Sequence, residues 1–187
     1  MFIVFDGLDG SGKSTQAKLL CEYFDHTGKS YVLRAHPSED NFFGQKGRFY
    51  LLMEGKRALI SASLFYMFDV FRSIILFYWR RLDYIVFVRY LMGTAYLPEC
   101  IYKLGYLFFL RIVPKSRHMF FIDVSPLEAH NRIEKNRGIK ETFESIDKLQ
   151  KVYKKITRLS SRPEWTVING ELPSIEIQKK VRGFLAL

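Results

Sequence analysis

The chain has 187 residues, 48% of them apolar and 16% aromatic, with 29 Lys and Arg against 19 Asp and Glu for a formal charge of +10. That length suits one domain, residues 1–187, able to bury about 70% of the surface its unfolded form exposes, and the basic balance favours an anionic partner. Cys21 and Cys100 are the only cysteines; they exclude a metal or redox Cys motif and favour a reduced, cytoplasmic setting.

In chain order, Phe2 to Phe5 is an apolar, partly β-branched run of the kind that fills a strand covered on both faces of a parallel sheet. Gly7, Gly12, Lys13 and Ser14 then complete the G-x-x-x-x-G-K-[ST] pattern, and Lys13 onward reads as a helix through Ala17, Leu19 and Leu20. Glycines at 7, 10 and 12 let the backbone turn and bring its N–H groups to phosphate oxygens, and the helix adds its positive end. Lys13 is placed to reach the β- and γ-phosphates of ATP and Ser14 to ligate Mg²⁺, with Asp9, Ser11 and Thr15 beside them. The bland reading of the stretch is a Gly-rich turn that binds nothing.

The first helix is expected to end near Gly28, and Tyr31 to Leu33 forms a second strand closed by Arg34. Ser38 to Gly47 reads as a loop or short helix that could lie over a ligand. Lys56 to Arg81 is a long aromatic helix. Its segment Leu59 to Trp79 is about long enough to span a bilayer, but Asp69 and Arg72 would each cost about 2.5–3.5 kcal/mol near the centre. Tyr96 to Val113, also apolar, carries Glu99, Lys103 and Arg111. Core or dimer-interface helices are therefore expected and no membrane partner.

Tyr84 to Val88 forms a third strand with Arg89 and Tyr90 at its C-terminal end, where ligands collect in open parallel sheets. Leu91 to Val113 is largely helical, broken by Gly93, Pro98 and Gly105. His118 to Val124 is a fourth strand, and Ser125-Pro126-Leu127-Glu128 a capping box. The helix runs through Arg132 into the polar stretch Glu134 to Glu141, which reads as a flap over phosphates or as an exposed helix end. Phe143 to Leu159 is an amphipathic helix. Lys148, Lys151, Lys154, Lys155, Arg158 and Arg162 suggest one solvated face, and no nucleic-acid partner is expected. Thr166 to Ile168 and Ile175 to Leu185 complete five strands alternating with helices, a three-layer α/β fold. The N-terminal residues show no signal-peptide pattern.

These residues resemble the thymidylate kinases within the nucleoside-monophosphate kinase-like P-loop proteins. The likeness rests on Phe5 to Gln16, on Arg34 and Pro37 at an Arg-Glu-Pro signature, and on Arg89-Tyr90 with Ala95-Tyr96 at an Asp-Arg-Tyr segment. Ile122-Asp123-Val124 with Pro126, Glu128 and Arg132 extends it, as does a shortened lid at about 133–142 containing Arg137, Gly138 and Glu141. The resemblance implies strand order 2-3-1-4-5 in a P-loop fold and transfer of the γ-phosphoryl group of ATP to thymidylate, with a homodimer as the assembly. It implies that Asp9 meets the acceptor sugar, that Arg34 and Arg89 grip the acceptor phosphate, and that Phe68, Asp69, Arg72 and Tyr96 belong to the acceptor site, with Tyr66 as the alternative ring. The resemblance also implies Lys13, Arg89 and Arg137, with Arg132 behind it, as the catalytic cations, because Gly10 stands where some members carry an Arg.

Three departures accompany the likeness. Val88 replaces the Asp of Asp-Arg-Tyr, Ala35 replaces the Glu of Arg-Glu-Pro and leaves Arg34 without that partner, and Val70 stands where an Arg follows Asp69. Asp69 and Arg72 could line the acceptor pocket or neutralise each other. A kinase for another acceptor, including a more apolar alcohol or phosphate, and a non-catalytic nucleotide switch are the alternative functions.

Overall fold

A computed structural model describes residues 1–53, 55–136 and 145–187. Five parallel strands, β1 (Phe2–Gly7), β2 (Tyr31–Ala35), β3 (Tyr84–Val88), β4 (His118–Asp123) and β5 (Thr166–Asn169), lie in the order β2-β3-β1-β4-β5. The helices are α1 (Lys13–His26), α2 (Phe42–Leu51), α3 (Lys56–Ser73), α4 (Tyr102–Ile112), α5 (Pro126–Asn136), α6 (Ile146–Ser160) and α7 (Ser174–Leu185). A π-helical turn, Ile74–Tyr78, prolongs α3, and a 3₁₀ turn spans Met92–Tyr96.

The period of two along the strands divides the core into two layers. Ile3, Phe5, Val86, Val88, Phe120 and Ile122 face α1 and α7, where Phe24 stacks on Tyr84 with ring centroids 3.9 Å apart. Val4, Phe87, Met119 and Phe121 face the other way, onto α3, α4, α5 and α6. Helices thus cover both faces, which is why the strands read as continuous apolar runs. Arg57–Tyr78 is long and apolar enough to cross a membrane, yet its Val70 and Ile74 enter the sheet core and Asp69 is wholly buried in polar contacts.

Several elements differ from the sequence-based expectation for local reasons. The short-helix alternative for 38–47 is the one adopted: the Asn41 side chain accepts from the N–H groups of Phe43 and Gly44 at 3.0 and 3.2 Å and starts α2. Gly105 lies inside α4 rather than breaking it. The capping box at Ser125 is half made. Ser125 Oγ accepts from Glu128 N at 3.4 Å, but Glu128 turns to Arg132, and the Ser125 N–H donates to Glu171 Oε1 at 3.1 Å. Lys155 leaves the solvated face of α6 and donates to Leu97 O at 2.6 Å, beside Glu99.

Candidate active site

The loop between β1 and α1 runs through three left-handed glycines, Gly7, Gly10 and Gly12, with φ 151, 79 and 89°. At Gly10 a Cβ atom would lie 2.4 Å from the Ala129 carbonyl oxygen. A side chain is therefore barred, and a P-loop arginine has no room there. α1 begins without a capping side chain or an acidic residue in its first turn, so its N–H groups remain available to an anion.

Beside this loop lies a cavity of about 670 Å³ lined by the P-loop, by Arg132 and Ile133 of α5, and by the β5–α7 connection from Gly170 to Ser174. Among the described residues its charged lining consists of Lys13, Lys18, Arg89 and Arg132, with no carboxylate. Thr15 lines the same cavity. Arg132 is braced from two sides: Nε donates to Glu128 Oε1 at 2.7 Å and an NH1 hydrogen to Gly170 O at 3.1 Å. That places the guanidinium over the loop, with NH1 at 3.9 Å from a Cβ built on Gly12. Arg137 lies outside the described residues, as does most of the expected lid.

Asp9 is the junction of the site. Its Oδ1 receives Lys13 Nζ at 3.3 Å and an Arg89 guanidinium hydrogen, and its Oδ2 receives the Tyr96 hydroxyl at 2.6 Å. Burial opposes its ionisation, but the Arg89 and Lys13 charges and the Tyr96 hydrogen bond hold it well below the usual carboxylate range. Lys13 also donates to Leu8 O at 2.9 Å; burial, then the Arg89 charge, pushes it down to about 8 against the pull of Asp9. Arg89 occupies a left-handed backbone position at φ 59°. For a residue with a side chain this costs about 1 kcal/mol or more. It turns the guanidinium back across the end of β3 toward Asp9.

Asp6 provides the scaffold. Wholly buried, its Oδ2 accepts the N–H groups of Tyr90, Leu91 and Met92 at 2.8, 3.1 and 3.0 Å and ties the segment after Arg89 to β1. Burial raises its pKa despite those bonds. Sequence reasoning passed over Asp6, although a carboxylate in an otherwise apolar strand next to a P-loop is itself a signal.

A second, smaller pocket of about 40 Å³ opens on the other side of Arg89. Asp9, Arg89, Tyr96 and Ser63 are its polar lining, and Pro37, Leu51, Leu59, Ala62, Tyr66 and Gly93 complete it. Tyr66 is the ring in this pocket; it lies so close over Gly93 that a Cβ there would fall 2.3 Å from the ring. Phe68 is 51% exposed and packs on Phe43, away from the pocket, because two residues along a helix turn a side chain by about 200°.

Arg34, Asp69 and Arg72 also line neither cavity. Asp69 accepts from Ser38 N and Oγ, both at 2.6 Å, and from Asn41 Nδ2 at 2.8 Å, so it fastens the loop before α2. Arg34 has a partner after all: its guanidinium grips Asp40 through two bonds of 2.8 Å, which supplies the carboxylate that Ala35 lacks. Arg72 points at the same Asp40, 3.8 Å away, rather than at Asp69. Val70 is buried in the core and Val88 in the sheet.

A family model for thymidylate kinase matches residues 5–181. The chain belongs to the thymidylate kinase family. Among curated relatives, a probable thymidylate kinase of Thermococcus kodakarensis is 48% identical over 63 residues, which are 34% of this chain and 30% of that one. The thymidylate kinase of Plasmodium falciparum is 47% identical over 53 residues, 28% of this chain and 25% of its own. Each such match spans less than a third of the relative's length. A solved thymidylate kinase from Candida albicans superimposes with a TM-score of 0.75 at 19% identity, covering 99% of this chain and 90% of that one, so the thymidylate kinase fold is shared.

The residues fit a magnesium nucleotide. Ser14 faces the large cavity, and Ser11 Oγ is buried there without a hydrogen-bond partner among the described residues. Among those residues no group of three His, Cys, Asp or Glu side chains could hold a metal by itself. Mg²⁺ needs none, since it keeps several waters and takes ligands from phosphates.

Proposed function

We propose that the protein transfers the γ-phosphoryl group of ATP to thymidylate, yielding thymidine diphosphate and ADP. The supporting observation is the lining of the 670 Å³ cavity: among the described residues four cations and no carboxylate, beside a helix N-terminus without a capping side chain. That is the complement of a triphosphate. Lys13 leaves Asp9 for the β- and γ-phosphates, Ser14 would hold a magnesium ion that would neutralise charge on them, and Gly7 to Thr15 wrap the phosphate chain. Arg89, which lines both cavities, bridges donor and acceptor phosphates. Arg132, and Arg137 beyond it, stabilise charge on the transferred group. Asp9 and Tyr96 receive the acceptor sugar beside the Tyr66 ring, and Arg34, Asp69 and Arg72 hold the loop over it. The reading takes residues 1–187 as one cytoplasmic domain with a lid at about 133–142. It includes a homodimer through the rings exposed on α2 and α3, Phe42, Phe49 and Phe68 among them.

One observation favours a second acceptor class. The acceptor pocket has room for only a few waters and is mostly apolar, and Val70, where the family pattern expects an arginine, is buried in the core and brings no charge to it. A more apolar alcohol or phosphate suits that lining. ADP release measured with dTMP, dUMP, UMP, CMP, AMP and GMP separates the two. Turnover with dTMP well above the ATPase background is expected; its absence ends the thymidylate reading, and turnover with another acceptor keeps only the kinase.

A further inference from the structure

Apart from the cleft and the exposed rings of α2 and α3, a further surface is apolar. The π-helical turn after α3 and the outer side of α4 expose large apolar side chains: Ile75 at 71%, Trp79 at 77%, Leu104 at 68%, Phe108 at 59% and Ile112 at 45%. Both segments cover the same face of the sheet. Phe71 of α3 meets Phe109 of α4 edge to face at 5.2 Å, and the two helices bury Val70, Ile74, Tyr106 and Leu110 in one core cluster. Their C-terminal ends converge on Phe2, which meets Tyr78 at 5.4 Å and accepts the Ser116 hydroxyl at its carbonyl; beside it Tyr90 donates to Pro114 O at 2.8 Å. This is the N-terminal end of β1, opposite the end that carries the P-loop.

The charges on these segments have one sign. Residues 74–82 and 101–117 contain Arg80, Arg81, Lys103, Arg111, Lys115 and Arg117, and no acidic residue. The flanking acids are turned elsewhere: the Asp83 carboxylate accepts from the N–H and hydroxyl of Ser30, and Glu99 pairs with Lys155 and Arg158. A second copy docked face to face would bring these cations against each other without a carboxylate to offset them. By contrast, rings and aliphatic chains among arginines and lysines are what an anionic bilayer surface accepts, apolar groups entering the headgroup boundary and cations meeting lipid phosphates.

We infer that this face docks the protein peripherally on an anionic lipid bilayer, contrary to the expectation of no membrane partner. It does not span the bilayer, because Val70 of α3 and Ile74 of the π-helical turn belong to the protein core. The docked orientation leaves the P-loop end of the sheet open to the aqueous phase.

The chain provides its own probe, since Trp165 is 7% exposed and hydrogen-bonded to Tyr106 whereas Trp79 is open to water. The test is co-sedimentation of the full chain, with tryptophan emission, on vesicles of phosphatidylcholine alone and of phosphatidylcholine with roughly one-third phosphatidylglycerol. Binding and a blue shift are expected only on the anionic vesicles, weakening as salt rises. Combined Arg80→Glu and Arg81→Glu substitutions should lower the partition constant about 30-fold or more, at about fivefold for each cation lost. The Arg80→Lys, Arg81→Lys pair should keep binding, and equal melting temperatures show that both variants fold. No sedimentation with anionic vesicles at low salt overturns the inference, as does equal binding to both vesicles. Concentration-dependent self-association that shields Trp79 without lipid overturns it too.

Discussion

The two halves of the cleft use their side chains differently. In the half proposed for the donor, Gly10, Ser11, Gly12, Lys13, Ser14, Thr15, Arg89 and Arg132 all border the large cavity, and backbone geometry alone puts most of them there. In the half proposed for the acceptor, Arg34, Phe68, Asp69 and Arg72 border neither cavity, and three of the four are spent on holding the segment from Ser38 to Asn41. A local motif carries its own direction, because the positive-φ glycines and the helix start leave the loop one course. A long helix does not. Which residues of α3 face the ligand is decided by what packs around it, and a shift of two residues exchanges Tyr66 for Phe68.

The largest effect expected from this contrast is in the donor half. Lys13→Ala should cut acceptor-dependent kcat about 10²- to 10³-fold, the range for removing one preorganised charge from a phosphoryl-transfer site, measured as ADP release. Retained turnover would mean that the large cavity is not the donor site. In the acceptor half the main loss should be in stability. Asp69→Asn leaves Ser38 and Asn41 donors facing a weaker acceptor in a buried site and should cost about 2–3 kcal/mol in urea unfolding. A raised acceptor KM with unchanged stability would return Asp69 to the acceptor itself.

A pH effect of intermediate size separates the halves further. His36, between the Val88 and Arg89 carbonyls and Ser73 Oγ, is pushed down to about 4, chiefly by burial and against the attraction of Asp69. The folded state therefore prefers the neutral ring. Its contribution is full above the ordinary value of 6.5 and is lost as pH falls toward 4. His118 shifts in the same direction. The urea midpoint should fall across that window, and His36→Gln should flatten the slope by about one proton. The smallest effect belongs to Phe68→Ala, expected to change stability by less than about 1 kcal/mol and acceptor KM by less than about twofold, because the ring is half exposed. A large KM change there would break the distinction between Phe68 and Tyr66.

Much of the fold was legible in the residues. Strands that are apolar throughout announce a sheet covered on both sides, and Tyr84 to Val88 is found with the bounds its composition suggests. Strand order 2-3-1-4-5 followed from the family resemblance, and the sheet has that order. The partner of Arg34 was not legible. Asp40 lies six residues away across a turn whose course depends on Asn41 capping α2 and on Asp69 holding Ser38. Nor was the role of Asp6, whose three acceptor contacts lie more than eighty residues on.

By itself, then, the sequence determined the phosphate cradle, the parallel sheet and the cationic character of the chain, because each rests on backbone propensity, on short-range spacing or on composition. Only the tertiary structure decided that Arg132 stands braced over Gly12, that Asp9 joins Lys13, Arg89 and Tyr96, and that the pocket beside Tyr66 is narrow and largely apolar. The reason is physical. Those arrangements depend on which groups from distant elements are left to satisfy one another once the core has closed, and no local pattern records that.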